Sequence, residues 1–398
     1  MKVEERFLKY IAIDTMSSET SNTFPTTKTQ LEFGDVLVKD LKDIGVSDAK
    51  KDKDGYVYGH VNIGKEKTIG LIAHMDTAPA LVGGIKKPQI VKNYDGKIIK
   101  LNDKYVLDPK KFLSLNEVVG DDLIVTDGEH LLGGDDKAGV AIIFAFAEYL
   151  INHKEEFNFN LAICFTPDEE VGLGASRFSV KEMKADVGFT LDGESCYRAS
   201  YENFNAASCV VEITGVGVHP GSAKDIMVNA ALLGVEYASK LPKDMIPGKT
   251  AGYDGFIHLC YFNGDVENAK LEYILRDHDV DLLEKKKEMM QKAADEIKKE
   301  YPSSTIKVTI KDSYKNMRYY FLKDPTAINI INKAYLASNM KLSYEPIRGG
   351  TDGATITYMG LPCPNLGTGD FNPHGRFEFV SINMMYKMIE MLKNMFKE

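Results

Sequence analysis

The chain has no cysteine pair of the CxxC kind. Its five cysteines, Cys164, Cys196, Cys209, Cys260 and Cys363, are scattered and odd in number. That argues against a disulfide framework and a thiolate zinc site, and for reduced thiols in a cytoplasmic protein. Basic charge is not in excess: 49 Lys and Arg stand against 58 Asp and Glu, a formal net charge of −9. Nucleic acid and anionic membrane surfaces both ask for a basic face, so neither is expected as a partner. No run approaches the roughly 18 consecutive apolar residues of a membrane span. The polar start Met1-Lys2-Val3-Glu4-Glu5-Arg6 leads into no apolar stretch of a secretory leader. Internal repeats and low-complexity tracts are also missing.

What is there is a globular composition, 398 residues with 44% hydrophobic and 27% charged, enough for one large domain or two ordinary ones. Apolar periodicity predicts helices over 3–14 and 28–44, the second stopped by Gly45. Strand-like runs follow at 56–61 and 68–73, and the second has a continuous apolar stretch, as a central strand covered on both faces should. Residues 78–125 read as an elaborated excursion with short strand fragments. An apolar helix is expected from Lys137 to about Leu150, then strands at 159–165 and 187–191. Strands alternating with helices predict an α/β sheet with ligands at its carboxyl edge. The texture changes near 206. Strand, helix, strand, strand, helix and strand follow in turn (209–215, 229–241, 258–261, 270–276, 281–299, 304–311), the split βαβ pattern of a ferredoxin-like unit. After it come a helix at 326–338, strands at 342–346 and 361–365, and an amphipathic helix over 381–396. The simplest organisation is one α/β domain, residues 1–205 and 318–398, interrupted by an α+β insert at 206–317.

Chemistry gathers at the predicted strand ends. The strand 159–165 runs through Thr166-Pro167 into Asp168-Glu169-Glu170. Acids at the end of a buried strand are costly to dehydrate unless a counter-charge is present, and a metal ion supplies one. On an extended chain neighbouring side chains point apart, so Glu169 and Glu170 can serve different partners. His74-Met75-Asp76 ends the strand before it. An imidazole there can hold a metal through one nitrogen while the acid at i+2 orients the other, although a surface turn would look the same. Gly133-Gly134-Asp135-Asp136-Lys137 opens the buried helix; one aspartate suffices as a helix cap, which leaves one over. Asp192-Gly193 ends another strand, and a plain turn would also account for it. His374 stands between Pro373 and Gly375. Two histidines and several carboxylates leaving one sheet edge make a two-metal hydrolytic site. Imidazole and carboxylate without cysteine suit zinc, with manganese or cobalt as substitutes.

These segments, His74-Met75-Asp76-Thr77, Gly134-Asp135-Asp136-Lys137-Ala138-Gly139, Thr166-Pro167-Asp168-Glu169-Glu170-Val171-Gly172, Asp192-Gly193 and His374-Gly375, resemble the signatures of the di-zinc exopeptidases. That family also includes carboxypeptidase G, aminoacylase and succinyl-diaminopimelate desuccinylase. Further strings, among them Val218-His219-Pro220-Gly221, Asn316-Met317-Arg318 and Pro346-Ile347-Arg348-Gly349-Gly350-Thr351-Asp352-Gly353-Ala354, bring the chain nearest to the family's tripeptide aminopeptidases, over essentially its whole length. The resemblance implies a mixed-sheet zinc exopeptidase domain with a ferredoxin-like lid and dimerisation insert. It implies two zinc ions per subunit, with His74 and Asp192 on one, Glu170 and His374 on the other, and Asp135 bridging. The residues alone leave Asp135 and Asp136 both open as the bridge. Asp76 would orient His74, and Glu169 would be the general base for release of the N-terminal residue of a tripeptide by zinc-activated water. A cis peptide would follow Asp135. His219, Asn229, Arg276 and Arg348 are candidate contacts to the peptide, and a homodimer through the insert is expected. A related dipeptidase, carboxypeptidase or N-acyl-amino-acid deacylase is the alternative activity. Two departures, Pro373 before the last histidine and Arg376 where lysine is frequent, remove no ligand.

Overall fold

The structure, a computed structural model, describes residues 1–395. The chain divides into two compact units: Met1–Tyr201 with Met317–Glu345 and Thr351–Glu398, and Glu202–Asn316 with Pro346–Gly350.

The first unit is built on an eight-stranded mixed sheet. Its order is Lys50–Lys51, Val57–Val61, Phe159–Thr166, Lys67–His74, Val187–Leu191, Asn365–Leu366, Arg198–Ser200 and Ser343–Tyr344. The four strands from 159–166 to 365–366 run parallel, so their carboxyl ends share one edge. Strand Phe159–Thr166 is buried at every position, which is why it reads as apolar from Leu161 to Phe165. On one face Phe165 stacks on Phe144 of the helix Gly134–Asn152, ring centroids 5.5 Å apart. On the other, Ala162 and Cys164 join Tyr56, Tyr58, Phe178 and Leu361 in a second cluster. The helix Gly134–Asn152 packs in turn against Val3–Ile11 and Ile382–Lys393. Covered all round, it has no polar stripe.

The excursion at 78–125 is not peripheral. Its strands Gln89–Val91 and Leu123–Val125 form a small antiparallel sheet with Asp370–Phe371 and Phe379–Ser381. The loop bearing His374 is thereby tied down at both ends. Two expected strands are shorter than predicted. Over 361–365 only Asn365 joins a ladder, because Pro362 and Pro364 have no N–H to donate; their carbonyls still accept from Gly188 at 2.8 Å and Thr190 at 3.2 Å. In 342–346 only Ser343–Tyr344 pairs. The last helix starts at Ile382, with the Ser381 hydroxyl accepting the Met384 N–H at 3.1 Å. It is assigned to Lys393, and Phe396 of the predicted helix lies outside the described residues.

In the second unit the strands Asn205–Thr214, Phe256–Gly264, Asn268–Asp277 and Thr305–Tyr314 are all antiparallel. Their order is 256–264, 268–277, 205–214, 305–314. With the helices Ala230–Lys240 and Val280–Glu300 this is a ferredoxin-like βαββαβ unit. Its core joins Cys209, Val211, Leu271 and Leu275 of the sheet to Tyr237, Met290 and Ile297 of the helices. Pro346–Gly350 groups with this unit, although the sequence places it with the flanking segments. The Arg348 guanidinium explains this by donating to the carbonyls of Gly252 and Asp254 at 2.7 and 2.8 Å.

The close approach of helix 134–152 to strand 187–191 depends on Gly139. A Cβ there would sit 2.1 Å from the Leu191 carbonyl oxygen. Gly139→Val should therefore push the helix off the strand. A loss of about 1–3 kcal/mol is expected from overpacking of this kind, read as a lower midpoint in urea unfolding. An unchanged midpoint would show that the helix is free to shift.

Candidate metal centre

Three parallel strands end side by side and each delivers an acid or an imidazole. His74 closes strand 67–74, Asp168-Glu169-Glu170 follows strand 159–166, and Asp192 follows strand 187–191. Met75 N–H donates to the Thr166 carbonyl at 2.8 Å, which carries the parallel ladder beyond the strand. Asp76 then ties the first two ends together. Its carboxylate is fully buried and accepts the backbone N–H of Glu169 at 3.0 Å and of Glu170 at 3.2 Å. The same Oδ1 lies 3.4 Å from Nδ1 of His74, whose nearer acceptor is the Asp76 carbonyl at 3.1 Å. One carboxylate thus positions an imidazole and the turn carrying both glutamates.

That turn differs from the extended chain expected. Asp168 is left-handed, at φ 57°, and Glu169–Val171 is a 3₁₀ turn. The two glutamates diverge because the backbone turns, not because a strand alternates. Asp168 faces away. Its carboxylate accepts from Thr26 and from Gln30 Nε2, the latter at 2.7 Å, while its N–H donates to Gln30 Oε1 at 3.0 Å.

Asp135 and Asp136, joined by a cis peptide, have separate tasks. Asp136 accepts Gly139 N–H and His74 N–H, each at 3.2 Å, so it is the aspartate that caps the helix. Asp135 is left to face the imidazoles. Its Oδ1 is 2.8 Å from His74 Nε2 and its Oδ2 is 3.0 Å from His374 Nε2. The His374 nitrogen is also 2.9 Å from Glu170 Oε2. Two sets of potential ligand atoms result, each within 4.8 Å: His74, Asp135 and Glu170, and His74, Asp136 and Asp192. The second contains Asp136, which the expected ligand set omits.

Charge is badly balanced here. Burial pushes the Glu169 and Asp136 carboxyls well above the usual range. It takes Glu170 to about 7 and Asp192 to about 6, with the Asp135 charge adding to both. Burial opposes charge on His74, yet hydrogen bonding to Asp135 and Asp76 raises it well above an ordinary imidazole; Asp135 and Glu170 raise His374 to about 11. Surrounding acids thus draw positive charge to this point. Glu170 Oε1 is buried and accepts no hydrogen bond. An orphaned oxygen, two imidazoles and a crowd of dehydrated carboxylates fit one or more divalent cations. Glu169, in contrast, has no hydrogen bond to its carboxylate among the described residues and belongs to neither set.

The four residues assigned to the peptide lie in the second unit, each with local partners. His219 Nδ1 accepts Gly221 N–H at 3.1 Å, and Asn229 caps the following helix through Leu232 N–H at 3.2 Å. Arg276 donates to the Leu275 carbonyl at 3.0 Å and lies over the Tyr314 ring. Arg348 spends its guanidinium on residues 250–254 and lies over Phe204.

Three buried acids escaped the sequence reading. Glu378 accepts Gly133 N–H at 2.9 Å and Asp135 N–H at 3.0 Å, and so fixes the turn before the helix. Asp352 accepts the Thr166 hydroxyl at 2.8 Å. Asp370 packs against Gly134, where a Cβ would collide with it. Their signal is faint: an acid between two aromatics in Phe377-Glu378-Phe379, and single acids after glycine-rich steps.

Known proteins resemble this chain in sequence and in fold. Residues 128–398 match the family described as Peptidase family M20/M25/M40. Peptidase T of Clostridium perfringens is 46% identical over 399 residues, covering 100% of this chain and 98% of its own. A solved aminopeptidase PepT from Bacillus cereus has a TM-score of 0.76 at 21% identity, covering 99% and 97% of the two chains. For a tripeptidase from Staphylococcus aureus the values are 0.75, 19%, 99% and 96%. For a Bacillus subtilis protein described as a dinuclear metal-binding peptidase of the M20 family they are 0.66, 12%, 99% and 96%. At such identities the structures speak for the fold alone. The full-length likeness to peptidase T carries more: the chain is a hydrolase belonging to the M20/M25/M40 peptidase family, in its peptidase T branch.

Proposed function

We propose that the protein is a zinc-dependent aminopeptidase that removes the N-terminal residue of tripeptides. The observation that carries this reading is the Asp135 carboxylate between His74 and His374, at 2.8 and 3.0 Å, with Glu170 against the second imidazole. His74 and Asp192 would hold one zinc, Glu170 and His374 the other, with Asp135 shared. Asp136 stays a capping residue, since both its oxygens already accept backbone N–H groups. The dinuclear M20 peptidase supports the pair of ions, and the tripeptidase and aminopeptidase of the same fold support the substrate.

Bound zinc supplies Lewis acidity, polarising a carbonyl and acidifying water. The chain's residues do the rest. Glu169 takes the proton of the attacking water on its free carboxylate and returns it to the leaving amine. Burial raises its proton affinity, which suits a group that must hold a proton during the reaction. Asp76 keeps the base aligned by gripping the backbone N–H groups on both sides of the Glu169 peptide unit. Working in the cytoplasm, the enzyme would pair with a second copy through the second unit. Strand Phe256–Gly264 lies at the edge of its sheet and exposes Leu259, Tyr261 and Phe262, at 36, 47 and 41%. A long apolar edge strand of this kind needs a partner.

Glu169→Gln should keep its zinc while turnover falls by roughly 10²- to 10⁴-fold. Glu170→Gln and His374→Ala should lose zinc and activity together. Metal content by mass spectrometry beside initial rates distinguishes the two cases, and full activity in Glu169→Gln would remove it as the base. A panel of tripeptide, dipeptide, N-blocked tripeptide and N-acetyl amino acid should show turnover of the free tripeptide first. Preference for the blocked substrates would favour a deacylase or carboxypeptidase instead. Sedimentation equilibrium should give a dimer that Tyr261→Lys converts to monomer; a wild-type monomer would end the pairing proposal.

A further inference from the structure

Beside the metal centre lies a cavity of about 120 Å³ whose polar walls are Asp135, Asp136, Asp192, Glu194, Thr368 and Asp370, closed by Gly193 and Pro373. Small-molecule pockets usually span roughly 300–1,000 Å³, so this one takes a head group and not a side chain. Its wall offers acceptors. The Thr368 hydroxyl donates to the Gly193 carbonyl at 2.8 Å and accepts Asp370 N–H at 3.3 Å, so its proton is already used. Pro373 has no N–H. Glu194 gives Oε2 to Arg198 at 3.1 Å and keeps its second oxygen. Asp370 is 4% exposed, and its Oδ1 accepts no hydrogen bond. No lysine, arginine or histidine lines the cavity among the described residues.

A buried carboxylate oxygen without a donor, in a wall of acceptors, asks for a small cation that carries its own N–H groups. A third metal ion fits less well, because neither Asp370 nor Glu194 belongs to a set of closely spaced ligand atoms among the described residues. The reaction proposed above supplies the right group. In an aminopeptidase the free α-nitrogen is two bonds from the scissile carbonyl carbon, so its site must share a wall with the hydrolytic centre. This cavity shares Asp135 and Asp192 with it. We infer that the cavity binds the α-ammonium group of the substrate's N-terminal residue, with Asp370 as its buried acceptor and Glu194 at its mouth. The inference rests on the aminopeptidase reading and adds the feature that makes a free N-terminus a requirement.

Zinc-loaded Glu169→Gln protein, which should hold peptide without turning it over, provides the test. Calorimetry compares trialanine with propionyl-Ala-Ala, the same peptide lacking only the amine. Trialanine should bind roughly 10- to 100-fold tighter, the worth of a charge-assisted hydrogen bond. Adding Asp370→Asn should bring the two within about threefold, with zinc content and the affinity for propionyl-Ala-Ala unchanged. Equal weakening of both peptides, an intact preference after Asp370→Asn, or no preference to begin with overturns the inference. Should Asp370→Asn fail to fold, Glu194→Gln must reduce the preference severalfold; an unaltered preference overturns it as well. A resident inorganic cation would appear as potassium- or sodium-dependent thermal stability without peptide, lost in Asp370→Asn, and would also overturn it. Failure of the aminopeptidase reading looks different: the wild-type protein would then hydrolyse no free tripeptide.

Discussion

Negative charge crowded at the carboxyl edge of the parallel sheet is the constraint on which the rest of the site depends. Glu169, Glu170, Asp135, Asp136 and Asp192 meet where strands 67–74, 159–166 and 187–191 end, and burial makes ionisation of most of them costly. A folded chain tolerates this in three ways: by giving the acids backbone N–H groups, by giving them imidazoles, or by giving them a cation. Asp76, Asp136 and Glu378 take the first course and Asp135 the second. What is left over is the bare Oε1 of Glu170 and the free carboxylate of Glu169, the groups on which the proposed metal and proton chemistry would act.

The acids that touch backbone deserve as much weight in the architecture as those that face the imidazoles. Asp76 links the end of one strand to the turn after the next, and Glu378 links the hairpin carrying His374 to the turn opening helix 134–152. Each is buried, so its hydrogen bonds face no competition from water. Together they join four segments in two pairs that are far apart in sequence, and the Glu378 pair explains how His374, on a half-exposed loop, arrives within 3.0 Å of Asp135. The small sheet made by the 78–125 excursion and the C-terminal hairpin supplies the remaining support.

Much of this was legible beforehand. Continuous apolar runs at 69–73 and 161–165 marked central strands, because a strand covered on both faces is the one that reads as apolar rather than alternating. Acids and histidines just past such runs marked the edge, since a turn accounts for any one of them but not for their recurrence at successive strand ends. The order of strands and helices after 206 marked the ferredoxin-like unit. Illegible were the Pro-interrupted pairing at 361–365, where carbonyls alone carry the contact, and the grouping of 346–350, which hangs on one guanidinium. The mode by which Glu169 and Glu170 diverge was also hidden, because a 3₁₀ turn and an extended pair leave the same letters.

The sequence by itself determined the chemical inventory: which acids and imidazoles stand at strand ends. Local pattern suffices for that, since the periodicity of burial is written residue by residue. Only the tertiary structure decided the assignment of tasks among like residues: Asp136 to the helix cap and Asp135 to the imidazoles, Asp168 to Thr26 and Gln30, and Asp370 to the wall of a small cavity beside them. Carboxylates differ in role only through what they face, and what they face comes from segments up to hundreds of residues away.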